Sequence, residues 1–277
     1  MTTETHTAPP ASDGIAPDAA SADTQASPQP APDRRDDGLM EIVKTIVFAL
    51  AIALLLRIFV FQPFNIPSPS MRPGLLVGDY LFVSKWDYGY SRASIPFEPR
   101  LFEGRIPGGA PERGEVVVFK NPRDNRDYIK RVIGVGGDRI QVVGGMVILN
   151  GEPLQRREIA PSPILGNNGL NIMTRRFEET LNGHTYVTYD QTPIGSLDNT
   201  EIYVVPEGHL FMMGDNRDDS TDSRVASEAF GVGYVPVENV VGKARVVLLS
   251  WDEGAKIYLP WTWFTELRLD RIAVGIK

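Results

Sequence analysis

A serine bracketed by prolines stands at position 70, in the string Pro67-Ser68-Pro69-Ser70-Met71-Arg72-Pro73. A serine hydroxyl ionises far above neutral pH, so it attacks a carbonyl only when a neighbouring base takes its proton. Histidine, the commonest such base, is scarce here: the chain holds His6, His184 and His209 and no others. His209 stands in the apolar run His209-Leu210-Phe211-Met212-Met213, which reads as a hydrogen-bonded core position. Lysine is the remaining option, because burial lowers its pKa by several units and leaves a neutral amine. Lys130 fits, in Asp127-Tyr128-Ile129-Lys130-Arg131-Val132-Ile133-Gly134. On a strand, Tyr128, Lys130 and Val132 share one face, so an aromatic and an aliphatic neighbour would desolvate the ammonium. Taken singly, a turn hydroxyl and a solvent-facing lysine are the ordinary fates of these residue types.

A third string is the densest in polar residues: Met213-Gly214-Asp215-Asn216-Arg217-Asp218-Asp219-Ser220-Thr221-Asp222-Ser223-Arg224. A solvated turn would account for it. A calcium loop would not, since the glycine at position six and the glutamate at position twelve of an EF-hand are absent. The Ser220 hydroxyl can share a hydrogen bond with a neutral lysine amine, and Asp222 with Arg224 can form an ion pair that fixes the loop. Serine, lysine and loop together imply a serine–lysine hydrolase.

Composition narrows the field around these residues. At 277 residues and 42% hydrophobic, the chain buries a substantial core. Its net charge of −7 gives no basic patch of the size nucleic-acid binding requires. The absence of cysteine excludes disulfide scaffolds, thiol catalysis and thiolate zinc sites. Neither HExxH, GxSxG, a Walker loop nor an SxxK pair occurs.

The elements that must position the site follow in order. Residues 1–39 are rich in Pro, Ala, Ser, Thr and Asp, cannot bury enough surface to offset ordering entropy, and read as a disordered tail. Residues 40–62 read as a transmembrane helix. Ile42 to Phe61 is nearly continuous apolar sequence, about 30 Å long as a helix, with Lys44 and Arg57 near its ends. A buried core helix is the alternative, since Arg57 leaves an uninterrupted run only from Thr45 to Leu56. A cleavable leader would need a small-residue site after Phe61, and none follows. Arg34, Arg35 and Lys44 point the tail to the cytoplasm, placing everything after Phe64 outside. Beyond the span, short apolar runs separated by Gly136-Gly137-Asp138, Gly144-Gly145 and Asn150-Gly151 predict a mostly β domain: a folded antiparallel sheet or partly closed barrel. That domain is expected in two parts, 63–149 and 207–249, around a polar insertion at 150–206 and before an aromatic, basic segment at 250–277.

Together the strings resemble those of type I signal peptidase, the membrane-bound serine–lysine protease that removes secretory signal peptides. The resemblance runs from the span to about Val247, and a fourth box, Arg113-Gly114-Glu115-Val116-Val117-Val118-Phe119, falls between the first two. It implies Ser70 as nucleophile and Lys130 as general base, with the Ser68 hydroxyl and the Ser70 N–H as oxyanion hole. It further implies that Ser220 orients Lys130, that Asp222 and Arg224 brace the site, and that Ile66, Pro67, Met71, Leu75, Tyr128 and Ile129 line pockets for small side chains at −1 and −3. Secretory preproteins and the lipid bilayer would be the partners, without cofactor, metal or nucleic acid. Pro69 stands where glycine is common in that family, and Gly74 where threonine is common, which bears on fine specificity. A maturation peptidase of another serine–lysine type, or a non-catalytic β-rich module on a membrane anchor, are the other readings.

Overall fold

The computed structural model describes residues 34–96, 98, 102–165, 171–192, 194–252, 254–255 and 258–277. Of the tail expected over 1–39, residues 1–33 lie outside these, as does the whole Gly166-Asn167-Asn168-Gly169 signal. The chain divides into two units, Met1–Val47 and Phe48–Lys277, and all the strands among the described residues belong to the second.

Helix α1 spans Arg34–Phe59. Its stretch Gly38–Arg57 has a mean hydropathy of 2.4 with none of it buried, and is long and apolar enough to cross a membrane. A core helix would be buried. The helix ends three residues before the expected 62, for a local reason. Proline at 63 has no N–H to donate and disfavours helical backbone at Gln62, so the chain leaves the helix and enters a strand.

In chain order the principal strands are β1 (Phe61–Asn65), β2 (Asp79–Ser84), β3 (Val116–Lys120), β4 (Asp127–Val135), β5 (Arg139–Val143), β6 (Met146–Leu149) and β7 (Gln155–Leu165). They continue as β8 (Asn171–Leu181), β9 (His184–Asp190), β10 (Tyr203–Val204), β11 (His209–Met213), β12 (Val235–Pro236), β13 (Val240–Ser250) and β14 (Val274–Gly275). The main sheet has the order β1-β2-β13-β3-β4-β11-β12, with β14 added to β13, and curls into a half-barrel. Pro63 is tolerated because β1 is its edge strand.

β3 shows why the apolar runs were so legible. Val116 and Val118 join one core cluster with Ile66, Met71, Leu75 and Ile129. Val117 and Phe119, alternating to the other face, join a second with Val132, Leu210 and Met212. A strand buried on both faces reads as unbroken hydrophobic sequence. Each such side chain contributes on the order of 2 kcal/mol when removed from water.

The insertion differs from its polar appearance. β7-β8-β9 form a three-stranded antiparallel sheet. Asn182 and Gly183, both at positive φ, make the two-residue hairpin between Leu181 and His184. The region outside the main sheet also starts earlier than 150, since β5 pairs with β10 on one side and β6 on the other, in a separate sheet from Arg139 onward.

Candidate active site

Ser70 owes its position to the loop between β1 and β2. Ile66 N–H donates to Asp79 O at 2.9 Å and Gly78 N–H returns to Ile66 O at 3.0 Å, which closes the loop at its base. Within it Ser68 is extended (φ −131, ψ 153), as a residue before proline must be, and Pro69–Met71 forms one turn of 3-10 helix. The Ser70 N–H lies in that first turn, so it has no intrahelical acceptor. Ser70 is only 6% exposed.

Lys130 comes from β4, in register with Val117 of β3. Its Nζ donates to Ser70 Oγ at 2.6 Å and to Ile129 O at 3.0 Å, and the Tyr128 ring centroid is 5.7 Å away. The side chain is almost wholly buried. Burial lowers its pKa to about 8, against the opposing pull of Asp222 and Asp215, which favour the ammonium. A base poised near the working pH, 2.6 Å from a hydroxyl, is what proton abstraction requires.

The 213–224 loop holds the nucleophile's backbone. Asn216 N–H donates to Ser70 O at 3.1 Å, and its Nδ2 to Pro69 O at 3.3 Å. Arg224 grips Asp222 through Nε and Nη2, both at 2.9 Å, and Gly214 N–H donates to the same carboxylate at 3.1 Å. Burial opposes the charge on Asp222, but Arg224 outweighs it and keeps the carboxyl below its usual range. Gly214 has no room for a side chain: a Cβ there would strike Ser220 and lie 2.5 Å from Ser70 O. Ser220 itself is near the site without the direct bond to Lys130 that the resemblance implied. Its Oγ is buried and lies beside the Asp222 carboxylate, whose charged form it helps to hold.

On the opposite face of β4, Arg131 makes a two-point pair with Asp215 at 2.8 and 2.7 Å. Its Nη1 also donates to Gly114 O at 2.7 Å and Lys277 O at 2.8 Å, and its guanidinium stacks 3.7 Å over the Tyr186 ring. The box 113–119 thereby gains a role, with Gly114 supplying an acceptor that fixes the strand carrying Lys130. Neither Asn216 nor Arg131 was singled out from sequence, although both lie inside the quoted strings.

A groove of about 720 Å³ runs past Ser70, bordered by Ile66, Pro67, Ser68, Tyr128, Ile129, Lys130 and the Asp218–Thr221 end of the loop. Met71 and Leu75 do not border it. They are buried in the core beneath, facing a second cavity of about 460 Å³ on the Arg131 side. His209 is half-exposed, its Nδ1 paired with Glu207 O at 3.0 Å, rather than a core residue.

Comparison with known proteins finds the following. A family model described as signal peptidase, peptidase S26 matches residues 39–251. Signal peptidase I of Rickettsia felis is 39% identical over 249 residues, covering 82% of this chain and 90% of the relative. The Rickettsia akari protein of the same name is 39% identical over 246 residues, covering 81% and 88%. A crystal structure of a signal peptidase I from Enterococcus faecalis is 23% identical, with a TM-score of 0.28, covering 48% of this chain and 95% of that one.

Proposed function

The chain belongs to the signal peptidase, peptidase S26 family, and from that membership we propose that it is a membrane-anchored serine endopeptidase that removes N-terminal signal peptides, with Ser70 as nucleophile and Lys130 as general base. The observation that carries this reading is the 2.6 Å separation of Lys130 Nζ and Ser70 Oγ inside a desolvated setting. When Lys130 is neutral, its lone pair accepts the Ser70 proton as Oγ adds to the scissile carbonyl carbon. The tetrahedral oxyanion is stabilised by the Ser70 N–H and the Ser68 hydroxyl, whose oxygen lies 3.3 Å from Ser70 Oγ. The ammonium then protonates the leaving amine as the C–N bond breaks, freeing the mature chain and leaving an acyl-serine. Lys130, neutral again, deprotonates the water that hydrolyses the ester. An extended substrate would lie in the groove between residues 64–70 and the strand ending at Lys130, with main-chain hydrogen bonds supplying affinity. Half-buried Tyr128 and buried Ile66 and Ile129 leave shallow space, which supports small residues such as alanine at −1 and −3.

The test is to incubate the purified full chain in detergent with a preprotein, sequence the new amino terminus and vary pH. The cut should follow an Ala-X-Ala-like segment. Activity should rise with pH through about 8, because Lys130 is an ammonium below that value and a base only above it. A rate flat from about pH 6 to 10 argues against a lysine base. Ser68→Ala should lower kcat by roughly ten- to a thousand-fold with KM little changed, the scale for one oxyanion donor. An unchanged kcat would remove Ser68 from the oxyanion hole.

The span and the positive-inside rule support a single-pass anchor in a bacterial inner membrane, tail inward and catalytic domain outward. Protease added outside intact spheroplasts should then digest the domain and spare the tail. Aromatic residues beside the span and in the 250–277 segment are candidates to rest at the bilayer surface; of these, Phe64 packs on the core and Trp251 edge-on to Tyr80 at 5.3 Å. Phe61's side chain is outside the described set. Trp261, Trp263 and Phe264 expose 63, 44 and 82% and remain the interfacial candidates. A chain beginning at Val60, which spares β1, should sediment with phospholipid vesicles and lose that binding when these three become alanine. Equal sedimentation of both proteins would assign vesicle contact elsewhere.

A further inference from the structure

The β8–β9 hairpin reaches the catalytic loop from outside the main sheet. Glu179 on β8 is 1% exposed, and a carboxylate is taken that far from water only with partners. Its main partner is Arg217 of the loop, itself buried: Nη1 donates to Oε1 at 3.0 Å and Nη2 pairs with Oε2. Arg156 and Thr188 complete its surroundings, at 3.5 and 3.4 Å from Oε1. Arg217 carries the connection inward. Its N–H donates to Tyr189 O at 2.9 Å, its Nε donates to Gly214 O at 3.2 Å, and its carbonyl accepts from Arg224 Nη2 at 2.5 Å. Arg224 grips Asp222, Asp222 accepts from Gly214 N–H, and two residues on Asn216 holds the Ser70 carbonyl.

We propose that Glu179 is a positioning residue: through Arg217 it pins the 213–224 loop in register with Ser70 and Lys130, so the insertion sheet takes part in catalysis without touching substrate. The proposal rests on reading Ser70 and Lys130 as the dyad. A brace that served stability alone would leave the chemistry of Lys130 untouched, and this one does not. Among the charged groups whose fields act on the Lys130 amine, Asp222, Asp215, Arg224 and Asp219 all ride on this loop, while the Tyr128 ring of its own strand packs 5.7 Å away. Loosening it changes every one of those distances and admits water to the amine, which moves Lys130 back toward the ordinary lysine range.

The experiment compares the parent with Glu179→Gln and with the double replacement Glu179→Met and Arg217→Met. The single change leaves a buried guanidinium without its counter-charge, whereas removing both partners for apolar groups of similar size is commonly tolerated. The double variant is expected to unfold close to the parent while its kcat drops about a hundredfold, the scale for slight misplacement of catalytic groups. Its KM should stay within about twofold, and the pH midpoint of kcat should move upward. Arg157→Gln, on the exposed side of the same hairpin where Arg157 pairs with Glu178, should change neither. Parental kcat and midpoint in the folded double variant overturn the proposal. So does a double variant that cannot fold, which would assign the pair to stability. Cleavage surviving in Ser70→Ala, or a parent without any pH midpoint, marks failure of the dyad reading instead.

Discussion

Lys130→Met should yield a protein that no longer cleaves yet unfolds at a slightly higher temperature at neutral pH. The loss of rate should be about 10⁶-fold, the scale for removing the base or nucleophile of a serine hydrolase. Ser70→Ala should lose as much, and Lys130→Arg should fail equally, because a guanidinium stays charged at any pH the protein survives. The gain in stability follows from linkage. Burial lowers the Lys130 pKa from the ordinary 10.5 to about 8, so burying its ammonium costs about 3 kcal/mol wherever it is charged in both states. Between pH 8 and 10.5 the unfolded chain binds the extra proton, so the cost is present in full below about 8 and fades as pH rises toward 10.5. Methionine has a similar volume and carries no such cost. It forfeits the hydrogen bonds to Ser70 Oγ and Ile129 O, worth about 1 kcal/mol each. The net gain near pH 7 is about 1 kcal/mol, a rise in Tm of about 3 °C, shrinking as pH approaches 10. A Tm unchanged or lowered at pH 7 would mean that the amine is better solvated than its burial indicates.

Which parts of this arrangement were readable in advance follows from how each residue is buried. The strands β3, β4 and β11 were readable because both faces are covered, so the code is a run of apolar residues. The long strands β7 and β8 were not. Their outer faces carry cross-strand pairs such as Arg157 with Glu178 and Arg175 with Glu158, and a solvent-facing ladder of alternating charges looks like a loop. Residue type alone gave the chemistry of Ser70 and Lys130, but 60 positions separate them. Only the closed loop before β2 and the register of β4 bring their side chains to 2.6 Å. The loop 213–224 was recognised as the support of the lysine. It also holds the serine backbone through Asn216, and a main-chain hydrogen bond leaves no trace in the identity of the residue accepting it. The reach of Glu179 into that loop was invisible for a related reason: its partner Arg217 lies 38 positions away on another sheet's margin.

Arg131→Met should be the most destabilising change near the site that leaves both reacting residues intact. The guanidinium and the Asp215 carboxylate are 3% and 1% exposed, and each holds the other's charge away from water. Taking one member of such a pair costs about 3–5 kcal/mol, because the remaining charge is left buried and unpaired. For a domain of this size that is a fall in Tm of about 10 °C. Arg131 also ties Gly114 O and Lys277 O to β4, so the strand that carries Lys130 loses two further constraints. A consequence for catalysis follows at temperatures where the variant is still folded. Asp215 favours the Lys130 ammonium, and without Arg131 its charge acts on the lysine unopposed. The lysine then gives up its proton at higher pH, and the midpoint of the pH–rate profile moves upward. Asp215→Asn separates the two effects. It leaves Arg131 buried without its counter-charge, so it too lowers Tm, but it withdraws an influence that favours the ammonium, so its midpoint should move downward. Opposite shifts of the midpoint with falls of Tm in both variants are the expected pattern. Shifts in the same direction would mean that strand displacement, not the field of Asp215, governs the titration of Lys130.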